Sequence, residues 1–376
     1  MKKLGLYVHI PFCRSKCLYC DFCSFPNRAE SDFTAYVDAL CRDLRTTAAR
    51  CTAHTVETVY FGGGTPTLLP PTLLNRILSE IFACYRVSPD AEITLECNPA
   101  TATKQAFSEL REAGFNRISI GLQSADEREL RALGRLHSFA DFERTFREAR
   151  EAGFSNISAD VMLGIPHQTK ESHLQTLAAL AALAPEHISA YGLTVESDTP
   201  FGKMGDRLVL PDEETSREMY FEGAQLLEKL GYRQYEISNF AKTGYESRHN
   251  LKYWNCEEYL GFGPAAYSDF GGTRFGNSRD LSAYLEGKSI LAESESPSLG
   301  ERAEEYIMLR LRLAEGVDCQ AFANRFGFDF DAKFGKTLRK YVFGGFVKHT
   351  QNKWALTREG FYVSNTILSE LLDFSS

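Results

Sequence analysis

The chain has 376 residues, 43% of them hydrophobic and 24% charged, with a formal net charge of −8. That profile fits a globular protein with a large core and a second module, and the acidic balance argues against a general nucleic-acid binder. The most apolar run, Leu177 to Ala184, is too short to cross a membrane, and ten cysteines without a secretory signal indicate a reducing, cytoplasmic setting.

A first strand is predicted over Leu4–Ile10. Directly after it come Cys13, Cys17 and Cys20, spaced C-x3-C-x2-C. Zinc sites usually present two cysteine pairs, or cysteine and histidine pairs, and no second cluster of matching spacing exists here. Three thiolates suit a four-iron cube, in which three irons are held and one is left open for a ligand. The remaining cysteines lack metal-like spacing; for Cys41, Cys51, Cys84, Cys97, Cys256 and Cys319 the expectation is small buried side chains.

Helices are predicted over Asp32–Ala48, Pro71–Phe82, Lys104–Ala113, Asp141–Ala152, Glu171–Ala182 and Asp212–Leu230. Strands are predicted over Thr58–Gly62, Glu92–Glu96 and His187–Leu193, with a short one over Arg233–Ile237. Residues Glu112 to Gly121 are echoed by Glu151 to Asp160: in each copy a charged helix ends at a glycine and a short apolar strand follows. A helix–glycine–strand unit repeated in this way belongs to a parallel α/β architecture. About six βα units point to a partial parallel barrel over residues 1–238, with a flavodoxin-like open sheet as the rival arrangement.

In such a barrel chemistry collects where the strands end. The cysteine loop follows the first strand and Gly62-Gly63-Gly64-Thr65 the second. Glu96, Gln123 and Asp160 are expected at the ends of the third, fourth and fifth. The glycine run serves either close backbone approach to a ligand or a tight turn. Glu96 and Asp160 could act as acid or base, bind a ribose or amino group, or cap the next helix. Residues 239–300 show no clear period and read as a loop-rich connecting segment. Within it, His249-Asn250-Leu251-Lys252-Tyr253-Trp254 groups an imidazole with aromatic rings, which suits haem or simply a hydrogen-bonded histidine. Residues 301–376 read as helices Glu301–Leu313, Cys319–Phe326, Phe330–Phe343 and Phe361–Leu372, with a hairpin at Val347–Lys348 and Trp354–Leu356, similar to a winged helix. Between Lys333 and Arg358 stand seven Lys or Arg and no Asp or Glu. A solvated or protein-docking face is the favoured reading of that run.

The cysteine motif, with Tyr7-Val8-His9-Ile10-Pro11-Phe12 before it and Tyr19-Cys20-Asp21-Phe22 around its end, resembles the radical S-adenosylmethionine (SAM) superfamily. The likeness runs along nearly the whole chain to the branch of oxygen-independent coproporphyrinogen oxidases and haem chaperones. It implies a 4Fe-4S cluster on Cys13, Cys17 and Cys20. It implies SAM contacts from Tyr7, Gly63, Gly64, Thr65, Glu96, Gln123, Arg135 and Asp160. The oxidases typically carry a fourth cysteine two places after the third. Phe22 stands there, and Cys23 falls one place too late. The runs Leu133-Gly134-Arg135-Leu136-His137 and His249-Asn250-Leu251-Lys252-Tyr253-Trp254 resemble the chaperone side, where the histidine is a candidate haem ligand.

The resemblance therefore implies a haem chaperone that delivers haem to acceptor haemoproteins, membrane-associated ones among them, with flavodoxin or ferredoxin as electron donor and no nucleic-acid partner. The alternatives are an oxygen-independent coproporphyrinogen III oxidase, which would make the chain a SAM-dependent enzyme, and a tRNA-modifying radical SAM enzyme motivated by the basic C-terminal run.

Overall fold

The computed structural model describes residues 1–372. Six strands form the heart of the molecule: β1 (Lys2–Ile10), β2 (His54–Gly63), β3 (Val87–Cys97), β4 (Arg117–Gln123), β5 (Ile157–Leu163) and β6 (His187–Gly192). They lie side by side in chain order and every adjacent pair is parallel. A flavodoxin-like sheet would reverse its strand order, and this one does not. It is the progression of a partial βα barrel, continued on both flanks rather than closed.

The intervening helices run Glu30–Ala48, Pro71–Cys84, Lys104–Ala113, Phe139–Glu151 and Lys170–Ala182. Their boundaries follow local chemistry. Thr103, Ser138 and Thr169 cap helix starts through side-chain oxygens. Gly114 and Gly153 take φ of +118° and +95°, where the two echoed segments turn from helix to strand.

Along each strand the side chains alternate between two faces, broken only at register shifts such as that between Val56 and Thr58. Leu4, Leu6, Val8, Ile10, Val59, Phe61, Ile93, Leu95, Ile118, Ile120, Ile157, Ala159 and Val161 are buried in the main core with the helices. The opposite face carries the polar residues. A barrel of this size usually fills its interior with aliphatic side chains; this one lines it with hydroxyls, carboxyls and imidazoles.

Residues 239–300, expected to be loop-rich, instead extend the sheet. After β7 (Arg233–Gln234) come β8 (Asn239–Ala241), β9 (Tyr259–Phe262), β10 (Tyr267–Phe270), β11 (Thr273–Asn277) and β12 (Leu291–Glu295). Strand β8 pairs antiparallel with β6, while β9 pairs parallel with β1 and leads into an antiparallel meander. The strands are only three to five residues long. Segments so short carry too few alternations to show a period, which explains the misreading.

Residues 299–372 hold a second core around Phe322, Phe330, Trp354 and Ile367. Its strands Val317–Asp318, Lys353–Leu356 and Val347–Thr350 form a small antiparallel sheet beside the helices, a winged-helix arrangement with one strand more than the expected hairpin. The last expected helix is split into Arg358–Tyr362 and Ser364–Leu371. Four of the seven basic residues between Lys333 and Arg358 are paired: Arg339 with Asp331, Lys340 with Glu370, Lys353 with Glu315 and Arg358 with Glu228. Acids from outside the run thus balance much of what looked like a basic face.

Candidate cluster and SAM site

The cysteine loop leaves β1 and is fastened to the mouth of the barrel. The Gly64 N–H donates to Ile10 O at 2.9 Å and the Thr65 N–H to Phe12 O at 2.7 Å, tying the loop to the glycine run after β2. On its far side the Leu18 N–H donates to Leu133 O at 3.1 Å, and Arg279 pairs with Asp21 at 2.9 Å. Cys13, Cys17 and Cys20 are free and partly exposed. Among the described residues no three His, Cys, Asp or Glu side chains converge on a single ion. Three thiolates on one loop are a donor set that fits a four-iron cube with one iron left open. Polar groups already face the sulfurs: Thr65 Oγ1 lies 3.6 Å from Cys13 Sγ, and Arg135 Nη1 donates to Cys17 Sγ at 3.5 Å. Hydrogen bonds and positive charge of this kind stabilise thiolates.

The residues expected to contact SAM come together beside that loop. Glu96 accepts from the Tyr60 hydroxyl at 2.8 Å and from the Gly63 N–H at 3.2 Å. Burial, with Asp160 nearby, raises its carboxyl to about 7 despite those bonds. Asp160 accepts from Ser119 Oγ at 3.1 Å and is raised by burial to about 6. It sits in the middle of β5 rather than at its end, so the helix-cap alternative is removed for it. Arg135 donates to Asn98 Oδ1 at 2.7 Å and to Gly121 O at 2.9 Å, and Asn98 in turn donates to Thr65 at 2.8 Å. Gln123 accepts from the Tyr191 hydroxyl at 3.0 Å. Its φ of +71° coincides with a register shift between β4 and β5, the kind of bulge that re-aims a side chain. Tyr7 completes the group through a 3.0 Å bond to His9 Nδ1.

Gly63 explains the glycine run. Its φ is +111°, and a Cβ there would stand 2.5 Å from Cε1 of His9. His9 uses Nε2 to bond the Cys23 carbonyl at 2.8 Å, so it fixes the end of the cysteine loop by its backbone. Cys23 itself is 6% exposed and lies within the core.

His249 stacks on Tyr60, the two ring centroids 5.2 Å apart. It is 1% exposed, with Nδ1 2.8 Å from Thr58 Oγ1 and Nε2 2.7 Å from the Tyr253 hydroxyl. Burial lowers it to about 3, so the ring is neutral. The helix Arg248–Trp254 is positioned by Glu92, which accepts from the Arg248 and His249 N–H groups at 3.1 and 3.0 Å. The arrangement is a satisfied buried histidine.

Sequence reading missed Tyr60 and Ser119 as members of the site. The available signal was period two: Thr58, Tyr60 and Gly62 share one face of β2, as Glu92, Thr94 and Glu96 do of β3 and Arg117, Ser119, Gly121 and Gln123 of β4.

A model of the radical SAM superfamily matches residues 7–181, and one of the HemN C-terminal domain matches residues 298–363. The chain is 34% identical to the heme chaperone HemW of Escherichia coli over 98% of each protein. It is 35% identical to that of Bacillus subtilis, over 97% of this chain and 98% of the other. It is also 41% identical to the mouse radical S-adenosyl methionine domain-containing protein 1, mitochondrial, over 71% of this chain and 61% of that one. The solved structure of E. coli coproporphyrinogen III oxidase (HemN) superposes with a TM-score of 0.85 over 98% of this chain and 89% of its own, at 24% identity, which speaks for the fold alone. With full-length identity above 30% to several of its members, the chain belongs to the heme chaperone HemW family of radical SAM proteins.

Proposed function

We propose that the protein binds haem and passes it to acceptor haemoproteins, using a 4Fe-4S cluster on Cys13, Cys17 and Cys20 and SAM in the cleft beside it. The observation that carries this reading is the end-to-end similarity to proteins named heme chaperone HemW. A bound cluster and SAM supply one-electron chemistry. The chain's own part is to place them: Arg135 links Cys17 to Asn98 and the end of β4, Thr65 stands against Cys13, and Glu96 offers acceptors beside Gly63. His249 remains the candidate haem ligand. For its Nε2 to reach an iron, the Tyr253 hydroxyl must first let go.

Arg14 and Lys16 are exposed within the cysteine loop, and this positive pair suits an acidic one-electron donor such as flavodoxin or ferredoxin. Among the described residues no helix is long and apolar enough to cross a membrane. The second reading, oxidation of coproporphyrinogen, draws on the shared fold. Phe22, 67% exposed, occupies the place of the oxidases' fourth cysteine, which favours the chaperone. Anaerobic reconstitution followed by haem titration and a coproporphyrinogen assay separates the two. The expected result is a saturable haem band with no conversion; conversion without haem binding would reverse the choice.

A further inference from the structure

We propose that Glu129 is a positioning residue for the cysteine loop: it pins the turn Leu133-Gly134-Arg135, and that turn is the seat that sets where Cys17 stands. The inference deepens the cluster and SAM reading of the barrel mouth and rests on it.

The loop is held more lightly than the barrel beneath it. Leu18 and Tyr19 pack against a satellite core of four buried residues, Leu133, Met162, Ile165 and Phe201, separate from the main core. Segments that rest on so few apolar contacts are the first to open, so hydrogen bonds decide where this loop lies. Leu18 is clamped from both sides: its N–H donates to Leu133 O at 3.1 Å and its carbonyl accepts from the Phe201 N–H at 3.0 Å. Gly134, at a φ of +74°, brings the turn so close that a Cβ there would stand 3.1 Å from Leu18 Cγ. Arg135 follows and reaches Cys17 Sγ at 3.5 Å while it is held by Asn98 and the Gly121 carbonyl.

The turn closes the helix Glu127–Ala132, which at six residues is too short to hold itself in place. Glu129, in its middle, is 0% exposed. One of its carboxylate oxygens accepts from Ser124 Oγ at 2.6 Å and from Gln168 Nε2 at 3.4 Å, and the other accepts from Ser172 Oγ at 2.5 Å. The three donors stand on three segments: just after the bulge at Gln123, in the loop after β5, and in the first turn of the helix Lys170–Ala182. A buried carboxylate is unfavourable without such partners, so these bonds fix the short helix in one place. From there the backbone carries the placement to the seat. The Leu133 N–H donates to Glu129 O at 3.1 Å, and the Arg135 N–H donates to Leu130 O at 2.9 Å. None of the three donors is a cysteine or a residue expected to contact SAM, so Glu129 acts through the turn.

The test uses the full chain as wild type, Glu129→Gln and Gly134→Ala. Hydrogen–deuterium exchange, followed by mass spectrometry before any cluster is added, is read first. In Glu129→Gln the peptide carrying Leu18 should exchange about fivefold faster or more, the protection of one hydrogen bond, while peptides of β4 and of the helix Phe330–Phe343 keep their wild-type rates. Faster exchange confined to residues 127–132 would mean that Glu129 steadies only its own helix, and faster exchange throughout would mean that it serves overall stability; either overturns the proposal. Gly134→Ala displaces Leu18 without touching the partners of Glu129, so it should speed the same peptide; an unchanged rate there overturns the seat. If Glu129→Gln does not fold, Ser172→Ala, which removes one of the three donors, takes its place in the same measurement. Each protein is then reconstituted anaerobically and titrated with SAM by calorimetry. Glu129→Gln should weaken SAM about threefold or more, and should weaken it less in an Arg135→Lys background; additive losses overturn the route through Arg135. A wild type that takes up no cluster and binds no SAM would instead count against the reading of the site, and the exchange arm alone would then decide the seat.

Discussion

Replacing His249 is the obvious test of a haem ligand, and the structure shows that the obvious variant misleads. The ring is 1% exposed and joins Thr58 on β2 to Tyr253 on its own helix by bonds of 2.8 and 2.7 Å. His249→Ala removes two buried hydrogen bonds worth about 1 kcal/mol each, and leaving Thr58 unpaired costs about 1 kcal/mol more. The cavity left by the ring, which stacks 5.2 Å from Tyr60, adds roughly 1–2 kcal/mol. The sum, about 4–5 kcal/mol, is a large fraction of a domain's stability. Haem lost from this variant would therefore report damage to the fold. Tyr253→Phe is the cleaner probe because its expected effect has the opposite sign. It frees Nε2 from a competitor worth about 1 kcal/mol, so haem affinity should rise roughly fivefold if His249 is the ligand. Denaturant unfolding of the three proteins, alongside haem titration by absorbance, reads both quantities. His249→Ala within about 1 kcal/mol of wild type would refute the stability argument. Tyr253→Phe with unchanged or weaker haem binding would refute the ligand argument.

Other outcomes follow from the same geometry. Glu96 and Asp160 are raised to about 7 and about 6, so each becomes fully anionic only above those values. Affinity for SAM, whose sulfonium is cationic, should tighten as pH rises through that window, and calorimetry with Glu96→Gln should show a flatter profile. His173 is fully buried with both ring nitrogens unpartnered, and burial lowers it to about 4. Against an unfolded value of about 6.5, its neutral form supports the fold above pH 6.5, and about 3 kcal/mol of that support is lost as pH falls to 4. His173→Leu should flatten this acid limb in pH-dependent unfolding; an unchanged limb would show that the ring has a partner. Gly63→Ala forces a Cβ into His9 at a φ of +111°, so SAM binding and iron retention should both fall in spectroscopic titration.

The fold was legible where elements are long. Helices Lys104–Ala113, Cys319–Phe326 and Phe330–Phe343 stand at their expected limits, because caps such as Thr103 and Asp329 and glycines such as Gly114 and Gly327 mark them. Between residues 239 and 295 the same logic failed. Strands as short as Asn239–Ala241 are set by pairing with β6, not by their own pattern. The cysteines and glycine run are contiguous in sequence and could be read directly. Tyr60 and Ser119 become part of the cleft only through sheet register, and a register is a property of the assembled strands. His249 shows the reverse: its motif stood out, while its burial between Thr58 and Tyr253 depended on the strand it packs against.

The most direct test of the central claim is transfer. Protein reconstituted anaerobically with iron, sulfide and SAM is loaded with haem, freed of excess and mixed with an apo-haemoprotein, while a parallel sample receives coproporphyrinogen III and reductant. The account predicts a saturable haem spectrum that decays as the holo-acceptor spectrum grows, and unchanged coproporphyrinogen. Turnover of coproporphyrinogen to protoporphyrinogen, with no haem retained or delivered, would contradict it.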